Sequence, residues 1–265
     1  MELSEFARTI LTSSDLDTKV QRPASPFTDE QPGQPYRVDT PARPDHLQFA
    51  ARRTAPSMPK PQAFHDPAKV AVGHHIMANH ELQALEVMAM IMLAFPKVET
   101  EFRMGLADIM VDEQRHTKMH VRRASELGVE FGDLPVNSYI WQKATQYQSA
   151  MQYVAGLPLV FEAANLDHTI ELETVFLKHG DTKSAAIMKA IHNDELQHVE
   201  FGMKWLRRWK DPALSDFEAW QQNLQWPMRP SKARGHEFQT EARLKAGMDE
   251  EFVRQAETWV DVEDQ

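Results

Sequence analysis

The pattern Asp-Glu-x-x-His occurs twice in this chain, as Asp112-Glu113-Gln114-Arg115-His116 and as Asp194-Glu195-Leu196-Gln197-His198. Composition alone gives about one Glu-x-x-His, and requiring the preceding Asp lowers the chance expectation to roughly 0.06 copies, so two copies point to a shared role. Residues i and i+3 lie on one helix face, so each motif brings a carboxylate and an imidazole toward one point. The face is an apolar one. Glu113 and His116 continue the stripe of Leu106, Ile109 and Met110; Glu195 and His198 continue Ile187, Ile191, Gly202 and Trp205. A carboxylate on a core face is costly unless something compensates its charge, and a metal cation does so. The fold must therefore be one that buries two such helices along these faces.

The distribution of breakers places those helices. Nine of the 16 prolines fall between Gln21 and Phe64, and neither a regular helix nor an alternating strand runs through that density. The stretch 1–64 reads as a short helix within Met1–Val20 followed by a Pro-rich wrapping arm. From Asp66, an N-cap followed by Pro67, apolar residues recur at helical spacing. Long helices are expected from Asp66 to about Phe95, from about Val98 to Leu127, up to His179-Gly180, and from Asp181 to about Lys210. A short one is expected around Ser138–Tyr147, and Gly156 and Pro158 mark the start of the third long helix or a kink in it. Beyond Pro212 the pattern predicts a packed irregular segment around Trp220 and Trp226, then an amphipathic helix over Arg234–Val260. The reading is all-α: a four-helix bundle over 65–210, flanked by the arm and by a C-terminal extension over 211–265.

A bundle metal site of this kind needs one more Glu from each partner helix. Glu81 shares a face with Met77, Leu85 and Met88, whereas Glu86 is rotated away; Glu162 shares a face with Leu159, Leu166 and Thr169. Glu81 precedes Glu113 by 32 residues and Glu162 precedes Glu195 by 33, so the chain holds two similar Glu…Asp-Glu-x-x-His pairs. The candidate metal ligands are Glu81, Glu113, His116, Glu162, Glu195 and His198. Their four carboxylates match two divalent cations. Asp112 and Asp194 are expected to support the ligand histidines from behind. His120 reads as an ordinary polar helix residue, and His74, His75, His80 and His192 as surface or supporting groups. His168 lies roughly 120° off the metal face.

Composition narrows the chemistry. The chain has no cysteine, which excludes disulfides, thiolate zinc sites, iron–sulfur clusters and a cysteine nucleophile. Any metal must be held by His and carboxylates, which suits iron, manganese or zinc. With 29 Lys and Arg against 39 Asp and Glu, the formal charge of -10 argues against nucleic acid as a partner. No apolar run reaches the roughly 20 residues of a membrane helix, and Met1–Val20 lacks the apolar core of a signal peptide. A cytoplasmic setting, without a membrane partner, is expected.

These residues resemble the ferritin-like di-iron carboxylate proteins, and among them the ferritin-like domain family DUF455. The matching stretches are His80-Glu81-Leu82-Gln83-Ala84-Leu85-Glu86, Asp112–His116, Gly132-Asp133-Leu134-Pro135, Glu162-Ala163 with Leu166-Asp167, and Asp194–His198. They span about Asp66 to Trp209. One departure is Ala164-Asn165, where the family pattern has Arg-Gly, one turn from Glu162. The resemblance implies a ferritin-like bundle with two iron ions, or iron with manganese. It leads to the expectation of a dinuclear oxygenase or oxidase that uses O2 to hydroxylate, N-oxygenate or desaturate a small molecule. Without cysteine the chain has no redox dithiol, so an external electron donor or reductant is expected, with a monomer or homodimer as the assembly. A tRNA hydroxylase-like enzyme, an iron-storage ferroxidase and a manganese catalase-like protein are the alternatives.

Overall fold

A computed structural model of the chain describes residues 1–261. Its described residues are all-α, as expected; the only β pairings among them are isolated bridges, Glu2 with Thr28 and Phe49 with Val136. Among the described residues, no helix is long and apolar enough to cross a membrane. Of the extension expected over 211–265, residues 262–265 lie outside the described residues. The chain divides into two compact units, Met1–Gln146 and Tyr147 onward.

The first unit is built around α3 (Pro67–Ala94) and α4 (Thr100–Glu126). Asp66 caps α3 by accepting a hydrogen bond from the Ala68 N–H, with Pro67 in the first turn. Pro96 follows its end, and a short connection sends α4 back antiparallel. Gly128, at φ +88°, closes the turn after α4 in a conformation that favours glycine. Nearly every residue of α3 from Val70 to Ala94 is buried, so this helix is covered all round rather than along one stripe. Beside α4, its coverings are α1 (Leu3–Thr12), the Pro61–His65 turn and α5 (Tyr139–Ala144). The buried face of α1 is Leu3, Phe6, Ala7, Ile10 and Leu11, an i, i+3, i+4 stripe.

Met1–Val20 forms two helices, where one was expected. The chain breaks at Ser13-Ser14, and Asp15 then caps α2 (Leu16–Val20) through the Thr18 N–H. The Pro-rich stretch follows in extended form and is tied down by polar groups. Glu86, turned away from the expected metal face, is fully buried against Lys19 Nζ at 2.9 Å and Arg43 Nη2 at 2.6 Å. Arg43 also donates to Asn79 Oδ1. Arg103 pairs with Asp29 at 2.9 Å, and the Trp141 indole donates to Asp39 O. Removing one partner from such a buried pair costs about 3–5 kcal/mol, because the other charge is left uncompensated.

In the second unit, α6 (Ala150–Gly156) continues through a π-helical turn, Leu157–Glu162, into α7 (Ala163–Lys178). Gly156 and Pro158 thus mark a register shift inside one continuous helical path. Pro158 has no N–H to donate, and the widened turn accommodates this. Asp181 caps α8 (Thr182–Trp209) through the Ser184 N–H, and α8 packs antiparallel to α7.

The segment after Pro212 is more helical than expected. Ser215 and Glu218 form a capping box that starts α9 (Asp216–Asn223). The single helix expected over 234–260 is instead two, α10 (Thr240–Lys245) and α11 (Glu250–Thr258). Gly247, at φ +83°, ends the first path, and Asp249 caps the second. This segment is fastened to α7 through buried Asp167. Its Oδ1 accepts from Arg243 Nη1 at 2.6 Å and the Gln239 N–H; its Oδ2 accepts from Arg243 Nη2 and the Gly235 N–H.

Candidate functional site

The six candidate ligands are all buried: Glu81, Glu113 and His116 in the first unit, Glu162, Glu195 and His198 in the second. In the first unit, α3 presents Glu81 and α4 presents Glu113 and His116. His116 Nδ1 stands 3.7 Å from Glu113 Oε1. Glu81 Oε1 faces a further imidazole, His120 Nε2, at 3.6 Å. Burial pushes the Glu81 carboxyl upward. The nearby His120 and His116 imidazoles and the neighbouring Glu113 outweigh this and hold it down to about 2.

In the second unit, the end of the π turn carries Glu162, and α8 carries Glu195 and His198. The antiparallel register of α7 and α8 matches Thr169 with His192, Asn165 with Glu195, and Glu162 with His198. His198 Nδ1 lies 3.8 Å from Glu195 Oε2 and 4.0 Å from Glu162 Oε1. Asn165 Nδ2 donates to Glu195 Oε1 at 2.9 Å. The departure from the family pattern noted at Ala164-Asn165 therefore places an amide beside a candidate ligand.

These donor sets fit a cation. Carboxylate–imidazole separations of 3.6–4.0 Å exceed hydrogen-bond length. Two ligands at about 2.0–2.2 Å from one ion can span up to about 4.3 Å. The candidates are carboxylates and imidazoles, the oxygen and nitrogen donors that iron, manganese and zinc accept.

The remaining predicted residues are less deeply placed. Asp112 pairs with Arg115 at 2.8 Å on a partly exposed face, and Asp194 is half-buried. His168 is exposed and faces Glu171, off the candidate face as its phase predicts. His120 corrects the sequence reading. It is fully buried, and its Nδ1 lies 2.8 Å from His74 Nδ1. The available signal was its phase, one turn beyond His116 on the same face. His74 and His75 are buried as well, and His75 Nε2 accepts from the Gly132 N–H. An open cleft of about 680 Å³ in the second unit, lined by Gln197, Phe201, Lys204 and Gly247 among others, is lined by none of the six.

A protein of Haemophilus influenzae described as an uncharacterized protein is 27% identical over 95 residues, which cover 36% of this chain and 33% of that protein. The chain therefore aligns with about a third of that relative's length. No solved structure matches. The family DUF455, described as "Protein of unknown function", matches residues 4–254. That match takes in the arm and most of the C-terminal extension, beyond the Asp66–Trp209 stretch that carries the motif resemblance. The chain belongs to the DUF455 family.

Proposed function

We propose that this chain is a ferritin-like non-haem dinuclear metalloenzyme. Glu81, Glu113, His116, Glu162, Glu195 and His198 would hold two divalent cations, iron or iron with manganese. The observation that carries the reading is the duplication: each unit buries one Glu together with the Glu and His of an Asp-Glu-x-x-His motif, with carboxylates and imidazoles at similar separations. Bound iron would supply Lewis acidity and redox change toward O2 and a small-molecule substrate, which is then hydroxylated, N-oxygenated or desaturated.

The chain's own residues prepare the site. Glu81, held to about 2, remains an anionic donor throughout the ordinary pH range. Asn165 occupies Glu195 Oε1 and so orients Oε2 toward His198. Asp112 and Asp194 are assigned the task of steadying the histidine rings. The chain contains no cysteine, so reducing equivalents come from a separate donor or from the substrate.

Anaerobic loading with Fe(II), desalting and elemental analysis test the reading. About two ions per chain are expected. Glu113→Ala and His198→Ala are each expected to abolish O2 consumption while far-UV circular dichroism keeps its helical amplitude. Absence of bound metal in the wild-type protein, or undiminished O2 consumption in both variants, overturns it.

A further inference from the structure

We propose that His120 is a metal ligand alongside Glu81, Glu113 and His116, and that His74 is the positioning residue that orients its ring. The inference rests on the metalloenzyme reading and adds to its ligand set. His120 is four residues beyond His116, one turn further along the same face of α4. It is fully buried, although imidazoles are ordinarily only intermediate in burial.

Its two nitrogens have different surroundings. Nε2 makes no hydrogen bond of good geometry and is aimed at Glu81 Oε1, 3.6 Å away. That separation matches the 3.7 Å between His116 Nδ1 and Glu113 Oε1. Nδ1 is 2.8 Å from His74 Nδ1, a hydrogen bond in which one ring carries the hydrogen and the other accepts it. When His120 carries it, Nε2 is left with a bare lone pair facing Glu81. This is the arrangement of a metal-bound histidine: one nitrogen on the ion, the other N–H donated to a buried acceptor that fixes the tautomer.

The test uses the full chain, stripped with a chelator and titrated with Co(II), whose visible bands report ligand number and type. His120→Gln is expected to weaken Co(II) binding at least tenfold and to shift those bands. His74→Phe is expected to weaken binding about tenfold with the bands retained. His74→Gln, which keeps an acceptor, is expected to restore much of the affinity. Wild-type affinity and bands in His120→Gln, with binding lost in Glu113→Gln, overturn the His120 assignment and leave the metalloenzyme reading standing. A wild-type protein that takes up no Co(II) overturns both. A measurement on the wild-type Co(II) protein removes dependence on variant folding. Proton NMR should show one more hyperfine-shifted imidazole N–H than the two that His116 and His198 supply; only those two signals overturn the assignment.

Discussion

At the residue scale, the buried carboxylates fall into two groups by what faces them. Glu86 meets Lys19 and Arg43, Asp167 meets Arg243 and two backbone amides, and Asp216 meets Arg207 and Lys210. In these, permanently charged cations compensate the carboxylate and tie one segment to another. Glu81, Glu113, Glu162 and Glu195 instead stand beside imidazoles, which a metal can recruit. A third use of histidine occurs at His75, where Nε2 accepts the Gly132 N–H at 3.1 Å. Gly132 itself sits at φ +109°, with His46 where a side chain would go, so this loop has little freedom to find another partner. Burial lowers the His75 pKa, against an opposing pull from Asp133. The folded protein thus binds fewer protons here than the unfolded chain does. The stabilisation is complete above the unfolded value, about 6.5, and is lost as pH falls through the lower folded value. Burial also lowers His74, His80 and His192, which contribute slopes of the same sign. We predict that wild-type Tm falls on acidification from about pH 7.5 to 5, and that His75→Gln, which keeps an acceptor but cannot titrate, falls less steeply. Thermal melts across that range check it, and parallel profiles would count against His75.

At the element scale, the π turn determines where Glu162 stands. Leu157–Glu162 packs on α8 at Gly202, where an added Cβ would come within 2.7 Å of Pro158 Cβ and 2.9 Å of Leu159 Cδ2. Gly202→Ala would therefore overpack this contact, at a cost of about 1–3 kcal/mol. The better helix propensity of Ala returns about 0.8–1 kcal/mol. A net loss of about 1 kcal/mol in denaturant unfolding is expected; a gain would mean that the π turn yields easily. The same turn shows why some elements were legible in sequence and others were not. Helices α3, α4 and α8 were readable because their caps, Asp66 and Asp181, and their stops, Pro96, Gly128 and Pro212, are local signals. Helical phase likewise separated Glu81 from Glu86. A π turn is one of several ways a helical path can accommodate a proline, so Gly156 and Pro158 signalled a break without its type. The N- and C-terminal segments were misread where caps at Asp15 and Asp249 divide stretches whose apolar spacing looks continuous, and where Ser215 starts a helix in a segment read as irregular. His120 was missed because phase alone cannot show that a second histidine, His74, lies 46 positions earlier on the adjoining helix.

At the scale of the whole molecule, the question is whether the duplicated sets act separately or together. Each unit by itself carries two buried candidate carboxylates and one candidate imidazole, with His120 proposed as a further donor in the first. Such a set balances the charge of one divalent cation, so two independent mononuclear sites are chemically reasonable. The dinuclear proposal makes a different prediction, because two ions bound as one centre would depend on one another. Glu113→Gln in the first unit and Glu195→Gln in the second should then each reduce bound iron from about two ions per chain to well below one, and the double variant should be little worse than either. Thermal stability should follow the same pattern. Saturation at a hundredfold excess over Kd stabilises the folded chain by about 2.7 kcal/mol for each ion bound, so Fe(II) loading should raise the wild-type Tm and chelation should reverse it. In a shared centre either single variant forfeits the whole iron-dependent rise. In independent sites each keeps about half, with one ion retained and the double variant losing the rest. Iron content and Tm measured on the same four proteins, before and after chelation, distinguish the two outcomes. Additive losses would leave two mononuclear sites and remove the basis for assigning two-metal O2 chemistry to this chain.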